Sequence, residues 1–86
     1  MLSGANVESL ERLAQTFQQE ADRIDQLRAD VTNAVFAAWW KGTDADSFRQ
    51  EWEAFHVVEL RRIVHELSTN ANLITQEAWR QREVSG

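Results

Sequence analysis

The 86-residue chain has no cysteine and no proline, and its only glycines are Gly4, Gly42 and Gly86. Without cysteine, neither a disulfide framework nor a thiolate metal site can hold the fold together. Without proline, and with Gly42 as the only glycine far from both ends, two long segments contain no helix breaker. Because strands need a turn every few residues, we predict an all-α protein with one turn. A chain of this length supports a single domain.

Charge and hydropathy argue against two classes of partner. The formal net charge is −5, and no basic patch is present, so we expect no nucleic-acid partner. No apolar run approaches the length of a membrane span, so none is predicted. The segment MLSGANVESLERLAQ lacks the basic and apolar regions of a Sec signal peptide. If the protein is secreted, we expect it to use another route.

The sequence offers no catalytic or metal-binding constellation. His56 and His65 are nine residues apart, which does not match a helical metal-ligand spacing. No Ser/His/Asp grouping, glycine-rich phosphate loop or HExxH motif is found. We therefore predict a protein that is not an enzyme and that uses no cofactor and no metal.

Hydrophobic periodicity predicts a first helix over residues 7–40. Apolar residues recur every seven positions, with further apolar residues three or four positions later. The seven-residue line consists of Leu10, Phe17, Ile24 and Val31. Glu20 interrupts the neighbouring line. We interpret Glu20 as a rim residue, and the alternative is a charge that faces a partner.

A second helix is predicted over residues 44–82, followed by a short tail at 83–86. Its candidate core residues recur at intervals of three, four or five: Phe48, Trp52, Phe55, Leu60, Ile63 and Leu67. Asn70 and Asn72 lower the helix propensity, so we expect a bend or fraying there.

Residues 41–43 are predicted to form a tight turn between the helices. Gly42 permits a backbone conformation that other residues resist, and Thr43 is expected to cap the second helix. The helices then form an antiparallel hairpin, each on the order of 50 Å long. Because neighbours on a helix diverge by about 100°, only one of Trp39 and Trp40 can face the other helix. The remaining tryptophan is expected to face solvent or a partner.

The apolar stripes are wider than the seam of one hairpin can bury. Exposed apolar area of this kind is typical of an interface, and small domains without disulfides or metals usually gain stability by association. We predict an obligate dimer in which two hairpins form a four-helix bundle. No charge asymmetry at the core positions forbids self-pairing, which favours a homodimer over a heterodimer and leaves both open.

The segment Trp40-Lys41-Gly42, at the one turn of a proline-free helical pair, resembles the motif of the WXG family of hundred-residue, early-secretory-antigen-like proteins. The following TDADSF is similar to the family's small residue and aromatic at the start of the second helix, here Ala45 and Phe48. The resemblance spans nearly the whole chain. It implies a four-helix bundle, formed as a homodimer or with another WXG-type protein. It also implies folded export from the cytoplasm by a type VII (ESX) secretion ATPase.

The family also carries a C-terminal Tyr-x-x-x-Asp/Glu signal. Its nearest counterpart here is WRQRE, with Trp79 in place of the tyrosine and Glu83 as the acid; tryptophan lacks the phenolic hydroxyl. The resemblance implies that Trp40 and Gly42 of one subunit join Trp79 and Glu83 of the other in a composite export signal. Either the signal is a variant, or the partner supplies it.

Two further functions stay open. The altered motif and short tail favour a non-secreted adaptor or chaperone that pairs with the helical targeting domain of a larger effector. A generic helical dimerisation module, unrelated to secretion, would be favoured by a fully buried Trp40 and a disordered Trp79.

Overall fold

The computed structural model describes residues 6–85, without the side chain of Ser85, and every regular element in that range is helical. The elements are α1 (Val7–Ala37), α2 (Thr43–Glu51), one π-helical turn (Trp52–His56) and α3 (Val57–Ser85). The last three are continuous and form a second rod. The rod lies antiparallel to α1, since Trp52 contacts Thr32 while Arg82 contacts Glu11. The hairpin measures 66 × 17 × 14 Å.

The first helix ends three residues before its predicted end at residue 40. It begins at an N-cap, where the Asn6 side chain accepts a hydrogen bond from the Ser9 amide at 3.0 Å. It ends at Ala37 because Ala38 turns to an extended backbone with φ −62° and ψ 139°. Trp39 and Trp40 therefore lie in the connection between the helices and outside α1.

The second rod starts one residue earlier than predicted, and a different residue occupies its cap position. Thr43 is the first residue of α2, and Gly42 occupies the cap position. The Asp46 amide donates to the Gly42 carbonyl at 3.0 Å, and no side chain caps this end. The prediction that Thr43 is the cap is wrong, because the glycine backbone makes the helical turn by itself.

The distal part of the rod is more regular than the sequence indicates. α3 continues through Asn70 and Asn72 without a break, so the expected fraying there is wrong. The side-chain Nδ2 of Asn70 donates to the Glu66 carbonyl one turn back at 2.9 Å, within its own helix. α3 also continues to Ser85, so residues 83–85 of the predicted tail are helical. Gly86 lies outside the described residues, as do residues 1–5.

Small residues form the seam between the two rods. Ala14 and Ala21 are seven apart on α1, and Ala71 and Ala78 are seven apart on α3. The buried residues of the described part of the chain are Ala14, Ala21, Ala45, Val57, Ala71 and Ala78. Alanine at facing positions lets helix backbones approach closely, with little side chain to separate them.

The predicted core residues flank this seam and do not occupy it. Eight of them are half-buried: Leu10, Phe17, Ile24, Val31, Trp52, Leu60, Ile63 and Leu67. Phe48 and Phe55 are 45% and 64% exposed. The hairpin alone therefore leaves much of the large apolar surface in contact with water.

The π turn keeps the buried side of the second rod facing α1. The Val57 amide donates to the carbonyl of Trp52, five residues back, where an α-helix would use the residue four back. With α-helical geometry, His56 would follow Trp52 on the line that faces α1. The extra residue in this turn places Val57 there, and Val57 is buried.

Candidate functional site at the hairpin turn

The connection from Ala38 to Gly42 holds the W-x-G residues in a defined backbone geometry. The Trp40 amide donates to the Ala38 carbonyl at 2.9 Å, closing a three-residue turn around Trp39. Gly42 has φ 117° and ψ −179° and is the only described residue with a positive φ. This conformation favours glycine, because a Cβ atom is strained at positive φ.

The two tryptophans have different surroundings. The Trp40 ring lies against Phe48 of α2, with ring centroids 5.7 Å apart in a tilted arrangement, and Trp40 is 43% exposed. Trp39 is 88% exposed, with the Lys41 ammonium 5.7 Å from its ring centroid. Trp40 thus packs on the second rod while Trp39 faces solvent. The non-helical connection produces this division, whereas the sequence argument derived it from helix geometry.

Arg49 is a structural residue of the turn that the sequence argument missed. Its Nε donates to the Val35 carbonyl and its Nη2 to the Ala38 carbonyl, each at 3.1 Å. These oxygens belong to the end of α1, where carbonyls lack partners within the helix. A signal was present: Arg49 stands four residues after Ala45, on the side of α2 that faces α1, where a cation can reach a helix C-terminus.

A second bond fixes the two rods beside the turn. The indole N–H of Trp52 donates to the Thr32 hydroxyl at 2.9 Å. The large ring is half-buried, so its single donor is satisfied where the ring packs. Trp52 and Arg49 together fix the angle at which the chain leaves the turn.

Trp79 and Glu83 lie at the opposite end of the hairpin from Trp40 and Gly42. Both are exposed, one helical turn apart on α3, and Trp79 is 65% exposed. Their neighbour Arg82 pairs with Glu11, near the start of α1, at 3.0 Å. Because the hairpin is 66 Å long, one chain does not bring the two halves of the expected signal together.

The hairpin has one polar and one apolar face. On α1, Glu11 and Gln18 lie three residues before the buried alanines, and on α3, Thr75 and Arg82 lie four after them. The Glu11–Arg82 ion pair shows that these polar flanks share one side. The residues that flank the buried alanines on the opposite side are apolar, and we call that side the apolar face. It consists of Leu10, Leu13, Phe17, Ile24, Leu27, Val31, Phe48, Phe55, Leu60, Ile63, Leu67 and Ile74.

The apolar face is substantially exposed in the single chain. Leu13 and Leu27 are 44% and 55% exposed, in addition to Phe48 and Phe55. The chain exposes 6520 Å² in all, against about 5,200 Å² for a compact monomer of this mass. The excess is comparable to the area that one partner contributes to a large protein–protein interface.

The described residues offer little for other kinds of site. In residues 6–85, no three histidine, aspartate or glutamate side chains are grouped so that they could hold a metal ion. His56 stacks near Trp52, with ring centroids 5.5 Å apart. No helix in this range is long and apolar enough to cross a membrane.

Comparison with protein-family models, with curated proteins and with solved structures found no match to this chain.

Proposed function

We propose that this chain is a small substrate or partner protein of a type VII (ESX) secretion system and acts as a dimer. The W-x-G turn of one subunit and Trp79 with Glu83 of the other would form the composite export signal. The observation that carries the proposal is the apolar face: twelve large apolar residues on one side of a hairpin whose own seam is built of alanine and valine.

Pairing through this face gives a four-helix bundle. A second hairpin would cover the exposed and half-buried leucines, isoleucines and phenylalanines of this face and exclude water from them, which is the main stabilising term available to a small helical protein. The polar faces, with ion pairs such as Glu11–Arg82, would remain in water. Self-pairing needs no additional chain, so a homodimer is preferred over a heterodimer with another WXG-type protein.

An antiparallel arrangement of the two hairpins explains why the signal has two parts. The turn of one subunit then lies beside the open end of the other, because each hairpin has its turn at one end and Trp79 at the opposite end. Trp79 follows the buried Ala78 on the side away from the apolar face, so pairing leaves it exposed. An export ATPase that needs both halves would accept paired chains and reject single ones.

The alternative is a non-secreted adaptor or chaperone that pairs with the helical targeting domain of a larger effector. The tryptophan at position 79, where the family has tyrosine, favours this role, since the effector would then supply the complete signal. Co-expression with a candidate effector separates the two: an adaptor stays in the cell after its partner is exported.

The generic dimerisation module is not proposed. It would be favoured by a fully buried Trp40 and a disordered Trp79. Trp40 is 43% exposed and Trp79 is 65% exposed on a continuous helix.

Export of single-residue variants tests the proposal. In a host with a working type VII system, Trp40→Ala and Trp79→Ala should remain dimeric by light scattering and fail to reach the culture medium. Trp39→Ala is the matched control, because Trp39 is exposed beside the same turn, and it should be exported normally. Export of dimeric Trp40→Ala and Trp79→Ala at the wild-type level would contradict the composite signal.

A further inference from the structure

An apolar groove lies beside the turn, on the side away from the apolar face. Its floor includes Phe36, which is 50% exposed, and Ala54, and its rim carries Asp46, Arg49 and Glu53. Val35 lies on the side of α1 that faces the second rod. Phe36 is the next residue along the helix, so its side chain points in a different direction, out of the proposed dimer interface. The groove is shallow and open to solvent, and its volume of about 620 Å³ leaves room for a large side chain. Pairing through the apolar face would leave it open.

The charges around this groove are unbalanced. The four acids of α2 and the π turn are Asp44, Asp46, Glu51 and Glu53, and none has an ion pair among the described residues. Elsewhere most acids near an arginine are paired, as in the Glu59–Arg62–Glu66 cluster, where the bond from Arg62 lowers the pKa of Glu59.

The cations nearest the groove keep their charge and form no ion pair with its acids, and the rim carries two acids, Asp46 and Glu53, against Arg49. Arg49 directs Nε and Nη2 at backbone carbonyls, and Lys41 lies over the Trp39 ring. Asp44 and Asp46 lie in the first turn of α2, where an acid stabilises the helix dipole. Glu53 has no such role, since it lies in the π turn, yet it contributes to the same rim.

We propose that this groove docks a segment of a different protein, one that carries a large apolar side chain flanked by lysine or arginine. The apolar floor supplies contact area, and the acidic rim selects the charge of the segment and accelerates its association. The proposal does not rest on secretion, because it concerns a surface outside both the apolar face and the export residues.

A second copy of this chain fits the groove poorly. Its most exposed aromatic, Trp39 beside Lys41, is followed closely by the acids Asp44 and Asp46, which would meet the acidic rim. Its most exposed helical aromatic is Trp79, and the arginines beside it are engaged: Arg80 with Glu77 and Arg82 with Glu11. Each copy also carries a net charge of −5, so approach of another chain's surface to the acidic rim is opposed by repulsion.

A pair of synthetic peptides tests the proposal with the full chain. One helical peptide has a single leucine anchor flanked by lysines; the second has glutamates in place of the lysines. In isothermal titration calorimetry, the lysine peptide should bind the wild-type protein and weaken as salt rises, and the glutamate peptide should not bind. Failure of the lysine peptide to bind, or equal binding of both peptides, would overturn the proposal.

Matched variants separate the groove from general attraction to an acidic protein. Asp46→Asn with Glu53→Gln should weaken binding of the lysine peptide about fivefold or more. Asp22→Asn with Glu66→Gln removes the same charge near the middle of the hairpin, at exposed positions far from both ends, and should change affinity less than about twofold. Phe36→Ser, at an exposed position, should also weaken binding while the helical circular dichroism signal is kept. An equal loss in the Asp22/Glu66 variant would show nonspecific attraction and refute a defined site.

The same variants report on a second copy as occupant. If Asp46→Asn with Glu53→Gln lowered the mass of the protein measured without peptide, the groove would be an interface between copies. That result would overturn the assignment to a different protein. An unchanged mass together with weaker peptide binding is the outcome that we expect.

Discussion

The Nε atom of Arg49 donates a hydrogen bond to the backbone oxygen of Val35 across the hairpin, at 3.1 Å. A side chain of the second rod thereby satisfies the end of the first helix, where the chain leaves α-helical geometry. The same guanidinium reaches Ala38, the first residue of the connection. This one side chain therefore couples the end of α1 to the start of α2 and holds the W-x-G segment between them.

Replacing Arg49 should destabilise the turn. Arg49→Met keeps much of the apolar stem and removes both donors, and it should lower the free energy of unfolding by about 1–3 kcal/mol. Arg80→Met is the control, because Arg80 is 75% exposed and pairs only with Glu77 at the surface; its cost should stay below about 1 kcal/mol. Urea unfolding at one fixed protein concentration measures both. Equal costs would show that the bonds to Val35 and Ala38 contribute nothing.

Gly42 should tolerate one enantiomer of alanine and not the other. At φ 117° and ψ −179°, L-alanine is strained and should cost about 1–3 kcal/mol. An added Cβ would meet no atom within 4 Å, so the cost comes from the backbone alone. D-alanine at position 42, introduced by chemical ligation, favours positive φ and should leave thermal stability near the wild-type value. If both enantiomers unfold at the same temperature, the backbone strain is not the reason for glycine here.

The alanine seam should not accept a larger residue. Ala21 has no exposed surface, and Ala21→Leu forces the rods apart, which should cost about 1–3 kcal/mol. Gln19→Leu is the control at an exposed position of the same helix, outside the apolar face, and should cause no comparable loss. Thermal unfolding followed by circular dichroism compares the two variants. A stable Ala21→Leu variant would mean that the rods do not pack through this line.

The π turn should be removable, because it holds one residue more than an α-helix needs. Deleting Ala54 would convert it to α-helical geometry and leave both Trp52 and Val57 facing α1. Deleting Thr69 instead would rotate Ala71 and Ala78 out of the seam relative to Val57. We expect the Ala54 deletion to keep most of the thermal stability and the Thr69 deletion to lose it. The reverse order of stabilities would show that the π turn does not determine which residues of the second rod face α1.

The hairpin itself follows from sequence by simple rules. The absence of proline, the single internal glycine and the sustained seven-residue apolar period predict two helices and one turn, and the structure has these. The predicted first-helix end at residue 40 is wrong by three residues. The observed end depends on Arg49 of the second rod, which donates to the Val35 and Ala38 carbonyls. The sequence places Arg49 on the side of α2 that faces α1, but which carbonyls it reaches depends on how the rods pack.

The residues that form the seam are harder to predict from the sequence than the hairpin itself. Large apolar residues such as Phe17 and Leu67 dominate the periodicity, so they appear to be the centre of the packing. Ala14 and Ala71 are weakly hydrophobic, yet they are among the buried residues of the seam. The five-residue interval from Phe55 to Leu60 departs from the three- and four-residue spacing of an α-helix, and the π turn accounts for it. Asn70 does not interrupt α3, because packing on a neighbouring helix overrides weak propensity.

The solution mass of the purified chain tests the central claim, that two hairpins pair through the apolar face. Light scattering should give about twice the chain mass of 9.9 kDa, together with a helical circular dichroism spectrum. Leu13→Lys with Leu27→Lys, on the apolar face, should give the single-chain mass. Gln15→Lys with Gln18→Lys places two lysines on α1 outside the apolar face, and this variant should stay dimeric. A wild-type chain that is fully helical at the mass of one chain, at concentrations where the account predicts a dimer, would contradict the pairing.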